Sequence, residues 1–185
     1  EAREVERAGG HAVGIEERKE AVGLEHRHGH GQVARVPGDL MIERPDVHYV
    51  KSSDVSIAYQ VFGEGPVDLV CLPGCVSNLY WNWESPGFRR LLTRLGAFAR
   101  VAIIDRRGVG LSDRLSKDLP PLEVLIDDIL AVLDDVEMDR PAVFGWQSAS
   151  NLAMMLAASN PERVSALVAF GANPCGLRKP DWPHN

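Results

Sequence analysis

Three side chains, at positions 75, 147 and 148, are the ones whose types and places raise covalent chemistry. The segment Phe144-Gly145-Trp146-Gln147-Ser148-Ala149-Ser150 sets a hydroxyl, Ser148, beside a carboxamide, Gln147, directly after a short apolar run. A second run ends in Leu72-Pro73-Gly74-Cys75, which presents a thiol. Serine attacks a carbonyl only when a base takes its proton, and cysteine attacks only as the thiolate. Gln147 has no ionisable proton and negligible nucleophilicity. Between Met41 and Pro183 the only histidine is His48, and His184 stands next to the last residue. Neither is a credible base, so a hydroxyl and a thiol are present without the group that would activate them.

A third segment, Asp105-Arg106-Arg107-Gly108-Val109-Gly110-Leu111-Ser112, is a tight turn after a buried run. Gly108 and Gly110 permit backbone angles closed to bulkier residues. Asp105 and Ser112 are expected to satisfy backbone groups inside that turn, a structural role rather than a catalytic one. His26, His28 and His30 alternate in a way that suits nickel or zinc,. With no carboxylate or cysteine at ligand spacing, a solvated tail is the preferred reading, and no metal or cofactor site is expected.

Stepping from these residues to the elements that must carry them, the chain alternates between two periods from Tyr49 onward. Val55 to Val61 repeats every second residue, as a half-buried strand does, and Gly63-Glu64-Gly65-Pro66 marks a turn,. Val67–Leu72, Val101–Ile104, Ala142–Phe144 and Val164–Phe170 are short apolar runs of buried-strand type. Phe88, Leu91, Leu92, Leu95 and Phe98 share one helical face, and 122–136 and 149–159 also read as helices,. With a leading strand that begins at His48, this makes six strands. Apolar strands interleaved with amphipathic helices require a mainly parallel sheet covered on both faces. Sites in such sheets lie at the carboxyl ends of the strands, which is where Pro73-Gly74-Cys75, Asp105-Arg106 and Gly145-Trp146-Gln147 fall.

Composition narrows the field. Residues 1–40 hold no aromatic side chain and seven glycines among mixed charges. They are expected to form a disordered tail, because such a stretch buries too little to offset its ordering entropy. Met41 is the expected natural start, and 41–185 the partial domain. A net charge of -6 argues against nucleic acid as a partner,. No apolar run is long enough to cross a bilayer, no signal-peptide pattern is present, and three cysteines imply no disulfide framework,. A cytoplasmic location is the expectation.

Taken in order, the loop at Pro73-Gly74-Cys75, the full D-x-R-G-x-G-x-S turn from Asp105 to Ser112 and the corner at Gly145 resemble the α/β-hydrolase superfamily over about residues 48–174. The resemblance implies a three-layer α/β/α fold, here ending after about the sixth strand. It also implies that the strand-to-helix corner is the nucleophile elbow, G-x-S-x-G. Anchoring on Gly145 puts Gln147 at the nucleophile position and Ala149 in the second small slot. Reading Ser148 as nucleophile instead puts Trp146 in the first small slot, a steric conflict, with Ser150 in the second. The oxyanion donors carried over are the N–H groups of Cys75, after Gly74, and of Ser148. The family's acid follows a seventh strand. Within the superfamily, 54–61, 105–114, 161–168 and 180–183 look like the modules that precede class III adenylate/guanylate cyclase domains or helix-turn-helix output domains in bacterial regulators.

Two functions of different classes follow. One is a binding or sensory module for a small-molecule ligand, its chemistry lost at Gln147, joined to a C-terminal cyclase or regulatory domain in a parent protein. The other is a serine hydrolase for an ester or lactone, with Ser148 as nucleophile and its base and acid supplied by sequence after Asn185. A truncated product whose edge 164–170 aggregates is the third possibility. Tyr80, Trp81 and Trp83 either stack on a ligand at the pocket mouth or pack the first helix, and Cys71 reads as a buried strand residue.

Overall fold

A computed structural model of the chain describes residues 42–115 and 120–173. The histidine tract, Met41, the 180–183 motif and His184 lie outside the described residues. Six strands form one sheet: β1 (His48–Ser52), β2 (Val55–Phe62), β3 (Val67–Leu72), β4 (Ala99–Asp105), β5 (Ala142–Trp146) and β6 (Ala166–Phe170). Their order is β1-β2-β4-β3-β5-β6. The β4–β3, β3–β5 and β5–β6 pairings are parallel, and β1–β2 and β2–β4 are antiparallel. The parallel part is the part that carries the three chemical segments.

Period-two alternation sorts the strands onto two faces. Ile57, Tyr59, Val70, Leu72, Ala102, Ile104 and Val143 enter one core, against α3 (Leu122–Asp135) and α4 (Ser148–Ser159). Their immediate neighbours Ala58, Leu69, Cys71, Val101 and Ile103, with Trp146 of β5, enter the other, against α1 (Leu79–Glu84) and α2 (Pro86–Gly96). Adjacent strand residues point to opposite faces, so both faces must be covered by helices. The result is the three-layer α/β/α architecture.

The helix expected through Phe98 stops earlier. Gly96 ends α2, and Phe98, 53% exposed, sits on the way into β4 rather than on the buried face. The final strand starts at Ala166, two residues later than its apolar run, because Pro161–Arg163 form a 3-10 turn and Ser165 N–H bonds to the Pro141 carbonyl. All five residues of β6 are exposed.

The two tryptophans of the first helix divide the roles left open above. Trp83 is fully buried, edge-on to Phe62, and donates its indole N–H to Gln60 Oε1 at 2.9 Å. Trp81 is 72% exposed. Cys71 is buried, and burial pushes its thiol far above the ordinary range, which leaves it inert,.

Candidate functional site

The three chemical segments meet on one row at the carboxyl end of the sheet. Cys71 pairs with Ile103, so the loop Pro73-Gly74-Cys75 and Arg106 leave adjacent strands at the same end of the sheet. Leu72 pairs with Gly145, so two residues further on Gly74 stands beside Gln147. The loop after β3 therefore lies between the ends of β4 and β5, with Gly74 against Gln147.

The strand-to-helix corner turns at Gln147, which has φ 54° and ψ −129°. Few residues other than glycine hold such angles, and each instance costs about 1–3 kcal/mol. Three contacts fix it. Gln147 N–H donates to the Phe170 carbonyl at 2.8 Å, the Ser150 N–H donates to the Gln147 carbonyl at 3.0 Å, and Ser150 Oγ lies within reach of the Gly145 and Phe170 carbonyls at 2.8 and 3.0 Å. Ser150 is fully buried and ties the corner to β6, a role its place in the sequence did not reveal. A glycine is required two residues before the turn. A Cβ on Gly145 would stand 2.8 Å from Ala153 Cβ and 2.9 Å from both the Ala149 carbonyl oxygen and Ser150 Cα.

Gln147 and Ser148 are both exposed, but they do different things. Ser148 is the first residue of α4. Gln147 leans over the loop after β3: a Cβ on Gly74 would stand 2.8 Å from Gln147 Oε1 and 3.4 Å from its Cβ. Trp146, 9% exposed, packs against Phe88 and Phe144 with ring centroids 5.6 and 5.1 Å away, on the α2 side of the sheet. A residue so anchored is an integral part of the core.

Around the corner several polar groups have no internal partner. Among the described residues no hydrogen bond engages the N–H of Cys75 or of Ser148. An N–H in the first turn of a helix has no intrahelical acceptor. Cys75 itself is exposed. Arg106 follows β4, and its Nε is buried with no hydrogen-bond partner among the described residues. Such an unmade bond costs about 1–3 kcal/mol. Burial pulls the Arg106 guanidinium below its ordinary range, and the Cys75 thiol is close enough to act on it electrostatically. Arg106 was legible only as a strand-end residue, since nothing in its neighbours marks it as unpaired.

The Asp105 turn is the opposite case. Asp105 is fully buried and accepts from Ser77 Oγ at 2.7 Å, Leu79 N–H at 3.1 Å and Leu111 N–H at 2.9 Å. Burial raises its carboxyl above the ordinary range, and those three donors act against the rise. Gly110, at φ 58°, has no room for a side chain, since its Cβ would fall 1.9 Å from Asp105 Oδ2, and Gly108 also has positive φ, 80°. Ser112 donates to the Asp105 carbonyl and accepts from Ala58 N–H at 2.8 Å. The Asp105–Leu111 and Ser112–Asp105 bonds lie inside the turn, as expected, and the two side chains also reach beyond it. Asp105 also fixes the start of α1, and Ser112 also fixes β2. Arg107 is paired outside the turn, in a bidentate bond to buried Asp128 at 2.7 and 2.6 Å. No group of three or more potential metal ligands occurs among the described residues.

Fold and corner together define a hydrolase-fold protein, and the chain belongs to the alpha/beta hydrolase fold family, whose model matches residues 69–185. It is similar to the pimeloyl-[acyl-carrier protein] methyl ester esterases of Nitrosomonas europaea, at 32% identity over 69% of this chain and 46% of that one, and of Aeromonas hydrophila, at 28% over 70% and 46%. The chain thus spans just under half the length of these relatives. Among solved structures it resembles the meta-cleavage product hydrolase CumD of Pseudomonas fluorescens IP01 (26% identity, TM-score 0.57, covering 66% of this chain and 44% of that one). It also resembles the bottromycin epimerase BotH in complex with bottromycin A2 (29%, TM-score 0.59, covering 74% and 52%). No helix among the described residues is long and apolar enough to cross a membrane.

Proposed function

We propose that this chain forms the corner and oxyanion-loop half of an esterase-type pocket, and that it binds acyl compounds without cleaving them. One observation carries this reading: the residue on the positive-φ turn is Gln147, whose carboxamide can donate and accept hydrogen bonds but cannot form an acyl-enzyme,. The Cys75 and Ser148 N–H groups act as oxyanion donors in this reading and hold a carbonyl or carboxylate oxygen. Such a donor is worth about 2.7–4 kcal/mol when charge develops on the oxygen, and without a nucleophile it serves recognition. Two similar structures lend support: a serine-to-alanine mutant of the hydrolase CumD is complexed with acetates, and BotH, of similar fold, is an epimerase.

The second reading is an ester hydrolase using Ser148, with base and acid from outside the described residues. The named relatives favour it over a sensory module, since the curated ones are methyl ester esterases. Against it stand the burial of Trp146 and the place of Ser148 inside α4. Attachment to a cyclase or other output domain draws only on sequence resemblance. The full chain is expected to give no release of p-nitrophenol from short-chain p-nitrophenyl esters above buffer. Turnover that survives in Gln147→Ala and vanishes in Ser148→Ala would establish the hydrolase reading in its place.

A further inference from the structure

We infer that Arg106 is the charge-recognising residue of this pocket, and that the pocket therefore prefers a free carboxylic acid to the corresponding ester. The inference rests on the binding reading above and adds the ligand's charge to it. Arg106 follows β4, the strand beside β3 and its oxyanion loop, close enough to Cys75 for the two to interact electrostatically. Its guanidinium makes no ion pair among the described residues and its buried Nε has no acceptor, whereas its neighbour Arg107 is paired with Asp128. The nearest carboxylate in sequence, Asp105, is held by Ser77, Leu79 and Leu111. A buried Nε without an acceptor, the unengaged N–H groups of Cys75 and Ser148 and an exposed carboxamide at Gln147 supply donors at the carboxyl ends of β4, β3 and β5. A carboxylate offers two oxygens, which can accept from the guanidinium and from the main chain at once. A neutral ester lacks the charge that Arg106 would meet. The N-terminus of α4, twelve residues long, adds positive potential at the same place,.

The test titrates the full chain with hexanoate and with methyl hexanoate, each followed by ligand-observed NMR. Hexanoate should bind more tightly by about ten- to hundredfold, the range one charge-assisted hydrogen bond supplies. In Arg106→Met that preference should disappear, and Arg106→Lys should retain part of it. If both ligands bind the unaltered chain equally, Arg106 is not the anchor, although the pocket reading stands. If neither binds, the pocket reading fails and this inference fails with it. The comparison within the unaltered chain needs no variant to fold, so the inference remains open to refutation if Arg106→Met is unstable.

Discussion

The Asp105 turn and the Gln147 corner lie at the carboxyl ends of β4 and β5, with β3 between them, and are both built from tight turns, yet they spend their polar groups in opposite ways. At Asp105 both carboxylate oxygens and the main-chain carbonyl are engaged, and Ser112 bridges to β2. At Gln147 the backbone is strained and the side chain exposed, and the N–H groups of Cys75 and Ser148 and the Arg106 Nε at the same end of the sheet lack acceptors. A turn whose bonding is complete has nothing left to offer a ligand, and it works as a brace. A turn held in an unfavourable conformation by its surroundings, with donors unspent, is where recognition can occur.

Breaking the brace should have the largest effect. Asp105→Ala leaves the Leu79 and Leu111 N–H groups and the Ser77 hydroxyl without their acceptor, and should cost about 3–4 kcal/mol in urea unfolding,. The milder Asp105→Asn carries a pH signature. Because burial raises the Asp105 carboxyl, the native state holds that proton more tightly than the unfolded chain does. The stability this group contributes is therefore complete at low pH and falls as pH rises from the ordinary carboxylate range to the raised value. Asn should flatten that decline. At the corner, Gly145→Ala forces a methyl against Ala153, the Ala149 carbonyl and Ser150, at a cost of about 2–3 kcal/mol in the same assay,. Gln147→Gly sharpens the contrast from the other side, since relieving the positive φ should raise stability by about 1 kcal/mol,. The smallest effect is expected where a β2 side chain reaches the last residue of α3. Tyr59, whose hydroxyl is pushed up to about 12 by burial and its bond to Asp135, should lose about 1 kcal/mol as Tyr59→Phe,.

The layers were legible because strand period and helix period are written in side-chain polarity. Ile57 and Ala58 or Val70 and Cys71 announce two buried faces before any coordinate is known. The corner was legible through Gly145, whose neighbours leave no space for a Cβ. Other features depend on partners distant in sequence. Ser150 reaches β6 twenty residues away, Asp105 reaches Leu79 across 26, and Ala58 finds Ser112 across 54. The lone Nε of Arg106 is a statement about what is missing around it, which no local pattern encodes. Trp81 and Trp83, two residues apart, separate into surface and core only once α1 is laid on the sheet.

The most direct test is a crystal structure of the chain at a resolution that fixes main-chain torsions at the corner. The expected result is positive φ at Gln147, its carboxamide lying against Gly74, with Trp146 seated on Phe88. A positive φ at Ser148 instead, with its Oγ at the tip of the turn and Trp146 displaced from the core, would contradict the account at its root.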